Sequence, residues 1–190
     1  MRVVQNFRWH ARAGQGAVTA SKALADIAAV EGRYAQAFAE YGAEKRGAPV
    51  VAFNRVSEKP IRLYCAIEEP NWIICLDPSL IGPVDIAAGA CLDSNFIINT
   101  AHDAAWLREH IEFGMMDFFY LDATKIATEE IGRDIPNSVI LGAIVKASGL
   151  FDYEIFKRIL GDKMHHEFTK KMAEGNMRCF QRGFEEVVKG

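Results

Sequence analysis

What this 190-residue chain lacks narrows its function first. Its four cysteines, Cys65, Cys75, Cys91 and Cys179, fall in no C-x-x-C or other metal-like spacing, which argues against a zinc or iron–sulfur site built by this chain alone. Cationic excess is missing: 22 Lys and Arg against 25 Asp and Glu leave a net charge of -3, and the basic residues are scattered. That removes the electrostatic case for a nucleic-acid partner. Apolar runs stop far short of the ~20 residues a membrane span needs, so no membrane partner is expected. No signal peptide is recognised and the thiols are unpatterned, which makes the cytoplasm the expected compartment. No Ser/His/Asp or Cys/His arrangement stands out. His165 and His166 are adjacent and would point to different helix faces, and His102 and His110 lack ligand spacing. No catalytic residue and no metal ligand is assigned.

What is present begins at Phe7–Ala17, FRWHARAGQGA. Strand-like alternation breaks into Ala-Arg-Ala-Gly-Gln-Gly and then into an alanine-rich helical pattern. Strand, small-residue turn and helix are the parts of an anion-binding corner, where backbone N–H groups and the helix start favour negative charge. Arg12 adds a full cation. A dinucleotide G-x-G-x-x-G would fall on Ala11, Ala13 and Gly16, so two of its glycines are alanines. The acid that would hold a ribose about 20 residues on has only Glu31 to fill it, beside the helix stop. A free-standing NAD-binding enzyme is therefore disfavoured. The plain alternative is a tight turn with Arg12 in solvent.

Along the chain, Asn6–His10 reads as strand one and Gly16–Val30 as a helix stopped at Gly32. Tyr34–Phe38 is strand two, leading into the polar loop Tyr41–Gly47. Pro49–Val56 and Ile61–Cys65 read as a hairpin across Ser57–Pro60. Asn71–Leu76 is an apolar strand, with Cys75 a small core residue, and Phe96–Asn99 and Phe118–Leu121 are further strands. Helices are expected at Asp103–His110, Asp122–Glu130, Ser138–Ala147 with Asn137 as cap, and Tyr153–Leu160 capped by Asp152. The stretch 163–189 is helical in composition but interrupted near Gly175-Asn176. The sum is one α/β domain with a mostly parallel sheet containing an antiparallel hairpin. Its core runs from about 6 to 150, with a helical C-terminal tail over about 151–190.

Several residues admit two readings. Asp77 before Pro78 is a turn-capping aspartate or a cleft residue, and Asn137 a helix cap or a cleft residue. His10 has a hydrogen-bonded structural role or touches the cleft. Glu44-Lys45-Arg46 is a solvated loop or part of an anion site. Phe113–Tyr120 is core or, where exposed, a subunit contact.

Arg8–Ala20, RWHARAGQGAVTA, resembles the start of the gamma subunits of pyruvate:ferredoxin oxidoreductases and related 2-oxoacid:acceptor oxidoreductases, whose N-terminus reads G-x-G-G-Q-G-x. Gly14-Gln15-Gly16 matches; Ala11 and Ala13 depart from it. Gln36-Ala-Phe38 with Tyr41–Ala48, YGAEKRGA, resembles the family's Y-G-x-E-x-R-G segment. Asn54–Ile61 is similar to its hairpin and Pro70–Pro78 to its buried strand ending in Asp-Pro. Asn137–Gly149 and Asn176–Glu185 are similar to its C-terminal helices.

The resemblance, collinear over nearly the whole chain, implies a Rossmann-like three-layer fold. It implies a non-catalytic subunit of a complex that oxidatively decarboxylates a 2-oxoacid such as pyruvate to acyl-CoA and CO2. Alpha, beta and delta-type subunits would carry thiamine diphosphate, Mg2+ and [4Fe-4S] clusters. Electrons would leave to ferredoxin, flavodoxin or an NAD-linked acceptor. The gamma chain is associated with coenzyme A and with holding the complex together. Its phosphate corner would comprise Arg12, Gly14, Gln15, Gly16 and Ala17, with Tyr41, Gly42 and Arg46 from the second loop. A purely structural subunit, or one serving an aryl-glyoxylate enzyme, would carry the same pattern. The two alanines add methyl groups where the family's backbone is bare, which limits close approach or demands negative φ there.

Overall fold

Alternation in the first strand places Phe7, Trp9 and Ala11 on one face and Arg8 and His10 on the other, and both faces are buried. A strand covered on both sides sits inside a sheet, and the remaining elements arrange themselves around it. The computed structural model describes residues 4–41 and 47–190. In chain order these form β1 (Val4–Arg12), α1 (Ala17–Val30), β2 (Tyr34–Tyr41), β3 (Pro49–Ser57), β4 (Trp72–Cys75) and a 3-10 turn (Pro78–Leu80). Then come β5 (Asn95–Asn99), α2 (Ala104–His110), β6 (Asp117–Leu121), α3 (Ala123–Ile131), α4 (Asn137–Ser148), α5 (Tyr153–Glu167), α6 (Lys170–Glu186) and β7 (Val188–Lys189).

The described strands form one sheet in the order β2-β3-β1-β4-β5-β6-β7. β1, β4, β5 and β6 are parallel, β3 is antiparallel to both β1 and β2, and β7 closes antiparallel on β6. This is the expected α/β architecture. Because β3 opposes both neighbours, β1 and β2 run the same way, and their C-terminal ends share one edge with those of β4, β5 and β6. The chain leaves β1 toward β2 on one side and β4 toward β5 on the other. The crevice between β1 and β4 is therefore the topological switch point, where open α/β sheets receive ligands.

One face of the sheet is covered by α1, α3, α4, α5 and α6. Phe7, Trp9 and Ala11 meet Leu24, Ile27, Ile140, Ile144, Phe156 and Phe180 there. The other face carries α2 and the 3-10 turn, with Leu80, Ile86, Leu107 and Phe113 packed on Ile73, Phe96, Ile98 and Phe118. A buried polar knot ties the first layer together. Trp9 Nε1 donates to Asn54 Oδ1 at 2.8 Å, and Asn54 Nδ2 donates to Ser21 O at 2.7 Å and Gln36 O at 3.3 Å. Every partner of Asn54 removed from this knot would leave a buried polar group costing about 1–3 kcal/mol. On the opposite face, buried Arg8 donates to Glu68 O, Ile86 O and Ala88 O, holding two irregular segments against the strand.

Several expectations are corrected. Ile61–Cys65 is not a strand: β3 takes β1 and β2 as partners, and the segment lies on the surface with Leu63 and Tyr64 exposed. Buried Arg55 reaches it, donating to Cys65 O at 2.7 Å. The last helix runs unbroken through Gly175-Asn176, and α5 continues past Leu160 to Glu167. The chain then ends in a strand, and α5 and α6 bury Phe156, Leu160, Met164, Cys179 and Phe180 in the main core rather than trailing from it. Asn137 is the first residue of α4, not its cap; Pro136 holds the cap position. Phe113 and Phe118 are core, whereas Met115 between them is exposed. Among the described residues no helix is long and apolar enough to cross a membrane.

Candidate functional site

The corner is a left-handed turn at two glycines. Gly14 has φ 104° and Gly16 has φ 81°, values at which any other L-residue is strained. Gly16 carries a second constraint: a Cβ there would lie 2.6 Å from Asn137 Nδ2, so α4 starts directly against the start of α1. Ala11 and Ala13 have no positive φ. Ala11 is a core residue of β1, and Ala13 N donates to Ala48 O at 3.0 Å. The alanines are thus accommodated by strand geometry, and the Ala13 N–H is used within the fold.

Gln15 locks the turn. Its Oε1 accepts from Arg12 N at 2.8 Å and its Nε2 donates to Asp77 Oδ2 at 2.8 Å. Asp77 caps the 3-10 turn, accepting from Ser79 N at 2.9 Å, so the capping reading of this residue holds and the carboxylate also faces the corner. Arg12 Nε donates to Ser79 Oγ at 3.0 Å and Nη1 to Gly47 O at 3.0 Å. Its Nε lies 3.5 Å from Asp77 Oδ2, and the side chain remains 36% exposed. Arg12 is accordingly a strap between loops as well as a cation at the surface.

α1 begins without a side-chain cap and without an acidic residue in its first turn. Helix geometry leaves the N–H groups of Ala17, Val18 and Thr19 without intrahelical acceptors. They border a cleft of about 330 Å³ lined by Arg12, Ala13, Gly14, Gly16, Ala17, Val18, Thr19 and Val50. A second cleft of about 430 Å³ lies across Gln15, walled by Asp77, Asn99, Thr100, Thr124, Lys125 and Asp134 at the ends of β4, β5 and β6. Asn99 fixes that wall, donating to Leu76 O at 2.7 Å and Thr124 Oγ1 at 2.9 Å.

Arg12, Gly14, Gly16 and Ala17 are therefore brought to one cleft, with the Gln15 amide turned away to Asp77. Tyr41 ends β2 on the same edge; Gly42 and Arg46 lie outside the described residues. Ser79, Val18 and Thr19 were not singled out from the sequence; only the Asp-Pro pattern hinted at a neighbour for Arg12. His10 is buried and structural: its Nε2 accepts from Arg8 Nε at 3.2 Å. Burial, then the Arg8 charge, pushes its pKa down to about 4. Among the described residues no group of three or more His, Cys, Asp or Glu is placed to hold a metal ion.

Residues 6–186 match the model of the family described as pyruvate ferredoxin/flavodoxin oxidoreductase. The chain belongs to this family. It is 40% identical over 180 residues to a pyruvate synthase subunit PorC of Thermotoga maritima, covering 95% of this chain and 93% of that protein. It is 42% identical over 175 residues to the pyruvate/ketoisovalerate oxidoreductases common subunit gamma of Pyrococcus abyssi, covering 92% and 95%. It is 39% identical over 181 residues to the gamma subunit of an NADH-dependent phenylglyoxylate dehydrogenase of Aromatoleum evansii, covering 95% and 93%. The crystal structure of pyruvate oxidoreductase subunit PORC from Thermotoga maritima superposes with a TM-score of 0.87 at 38% identity, covering 100% of this chain and 99% of that one. Within the pyruvate ferredoxin/flavodoxin oxidoreductase family this is a gamma-type subunit.

Proposed function

We propose that this chain is the gamma subunit of a multisubunit, cytoplasmic 2-oxoacid oxidoreductase and that its Arg12–Ala17 corner receives the phosphates of coenzyme A. The carrying observation is the open start of α1: no side-chain cap, no acid in the first turn, and a cleft of about 330 Å³ against it. When bound, coenzyme A supplies the thiol that takes up the acyl group. The residues present suit its phosphates. Unpaired first-turn N–H groups and the helix dipole favour an anion, Gly14 leaves the approach bare, with nothing within 4 Å of its Cβ position, and the Arg12 guanidinium adds charge-assisted hydrogen bonds. Asp77 lies beside the Arg12 guanidinium, and Asn137 fills the space at Gly16. Gly47 O accepts from Arg12 at the corner; the family resemblance adds Gly42 and Arg46 to the phosphate site in this reading, with Tyr41 for the adenine or a neighbouring subunit.

Thiamine diphosphate, Mg2+ and [4Fe-4S] clusters belong in this reading to alpha, beta and delta-type partners, which pass electrons to ferredoxin, flavodoxin or an NAD-linked acceptor. Pyruvate is the favoured 2-oxoacid because relatives named for pyruvate recur among bacterial and archaeal proteins that this chain resembles. The likeness to a phenylglyoxylate dehydrogenase subunit supports an aryl-glyoxylate as the second choice.

The test is steady-state kinetics of the intact complex carrying Thr19→Glu or Arg12→Ala. Thr19 occupies the third helical position, where a carboxylate stabilises the helix yet opposes an incoming phosphate. Thr19→Glu therefore raises the apparent KM for coenzyme A without lowering Tm. Arg12→Ala raises that KM roughly ten- to hundred-fold, the loss of one charged phosphate contact. An unchanged coenzyme A dependence in both variants, with the complex intact by size exclusion, leaves a purely structural subunit.

A further inference from the structure

The two edges of the sheet are treated differently. At one end β7 is two residues long and carries Lys189, whose Nζ donates to Asp117 Oδ2 at 2.7 Å. Short strands and edge lysines are how a sheet end is blunted against strand addition. At the other end lies β2, eight residues, YAQAFAEY. No described strand pairs with its outer edge. It has no proline and no Lys, and one charge, Glu40. Apolar surface is exposed here: Tyr34, the first residue of the strand, is 50% and Tyr64 is 89% exposed. Tyr64 walls a cleft of about 320 Å³ together with Gln36, Ala37 and Phe38.

We propose that β2 is a dimerisation edge, pairing antiparallel with β2 of a second copy about a two-fold axis at Phe38. A two-fold axis normal to a sheet keeps each side chain on its own face, so paired residue numbers must differ by an even number or coincide. Two registers centre on the strand. Centring on Ala37 sets Gln36 opposite Phe38 and Tyr34 opposite Glu40, leaving the carboxylate facing an aromatic. Centring on Phe38 sets the two Phe38 rings side by side and each Gln36 opposite the other copy's Glu40. The second register is self-complementary. Gln36 Oε1 already accepts from Arg55 Nη1 at 3.3 Å, which aims the amide and leaves Nε2 as donor for the carboxylate. Phe38 is stacked on Phe53, centroids 4.9 Å apart, so the central ring is presented by a fixed neighbour. Tyr64 then borders the new strand pair.

The experiment is analytical ultracentrifugation of the purified full-length chain, wild type and charge variants, with amide hydrogen exchange read along β2. Wild type sediments as a dimer of 21.2 kDa chains with slowed exchange in β2. Gln36→Glu faces each Glu40 with a like charge, twice per dimer, and weakens the dimer roughly tenfold. The double variant Gln36→Glu/Glu40→Lys restores opposite charges and restores the dimer, which a variant that merely failed to fold would not do. A wild-type chain that remains monomeric with freely exchanging β2 amides overturns the proposal. So does β2 protection that arises only when other subunits of the complex are added, since a partner strand then holds the edge. Neither result decides the role of the Arg12–Ala17 corner, which lies between the ends of β1 and β4.

Discussion

Two glycine-to-alanine substitutions in neighbouring helices should move stability in opposite directions. On α6, a Cβ at Gly183 would lie 1.9 Å from Val139 O, 2.7 Å from Val139 C and 3.0 Å from Val139 Cα. All three are backbone atoms of α4, so no side-chain rotation relieves the contact. Gly142 makes the reciprocal approach, its Cβ position 2.0 Å from Phe180 O. On α5, a Cβ at Gly161 would meet only the end of the Met177 side chain, Cε at 3.7 Å and Sδ at 3.8 Å, both ordinary contacts. Both changes gain about 1 kcal/mol of helix propensity over glycine and restrict the unfolded chain equally. At Gly183 that gain is opposed by overpacking of about 1–3 kcal/mol, toward the upper end because backbone meets backbone. Gly161→Ala should therefore raise Tm by ~2–4 °C, and Gly183→Ala should lower it by ~2–8 °C for a chain of this length. Thermal unfolding of the full-length chain followed by circular dichroism at one protein concentration measures both. The difference between the variants isolates the helix-crossing cost. If Gly183→Ala is as stabilising as Gly161→Ala, α4 and α6 do not cross at Gly142 and Gly183, and the packing described for this end of the molecule is wrong.

Two further expectations rest on buried titratable groups. Burial, followed by the Arg8 charge, depresses the His10 pKa from 6.5 to about 4, so the folded chain holds it neutral while the unfolded chain protonates it. Its contribution is intact above pH 6.5 and is lost as pH falls toward 4, by about 3 kcal/mol in all. Urea unfolding at pH 7 and near pH 4 should show wild type losing more stability than His10→Gln by about that amount; equal losses would refute the assignment. Burial also raises the thiol pKa of Cys75 to about 12 and of Cys179 to about 11, whereas Cys65 is exposed. Iodoacetamide followed by mass spectrometry should label Cys65 first and Cys75 and Cys179 only on unfolding.

The parts of the fold visible in the sequence are those whose partners do not matter to the pattern. β4 and β5 are apolar enough to be strands whichever neighbours they take, β1 shows itself by alternation, and α1 announces itself by alanines at helical spacing after a glycine turn. Ile61–Cys65 shows the limit. Its apolar residues resemble a strand, yet β3 has both edges occupied by β1 and β2, and the segment is left on the surface. Gly175 shows another. Read as a helix break, it is there because a Cβ would lie 2.8 Å from Ile131 Cγ2 and 3.1 Å from Glu130 O, a contact between α6 and the end of α3 that local sequence cannot reveal. In the corner, the small-residue turn and its cation were legible. The engagement of Arg12 was not, because Ser79 is 67 residues away and becomes its neighbour only through the parallel pairing of β1 with β4.

Arg8 reaches carbonyls of two segments that have no ladder of their own, one around Glu68 and one at Ile86 and Ala88. A guanidinium shared in this way makes the two stretches mechanically one. Neither can lift from the sheet without releasing the donor that also restrains the other, so their excursions are correlated and of similar free energy. The two irregular segments should therefore open as one unit, bolted through one side chain of β1.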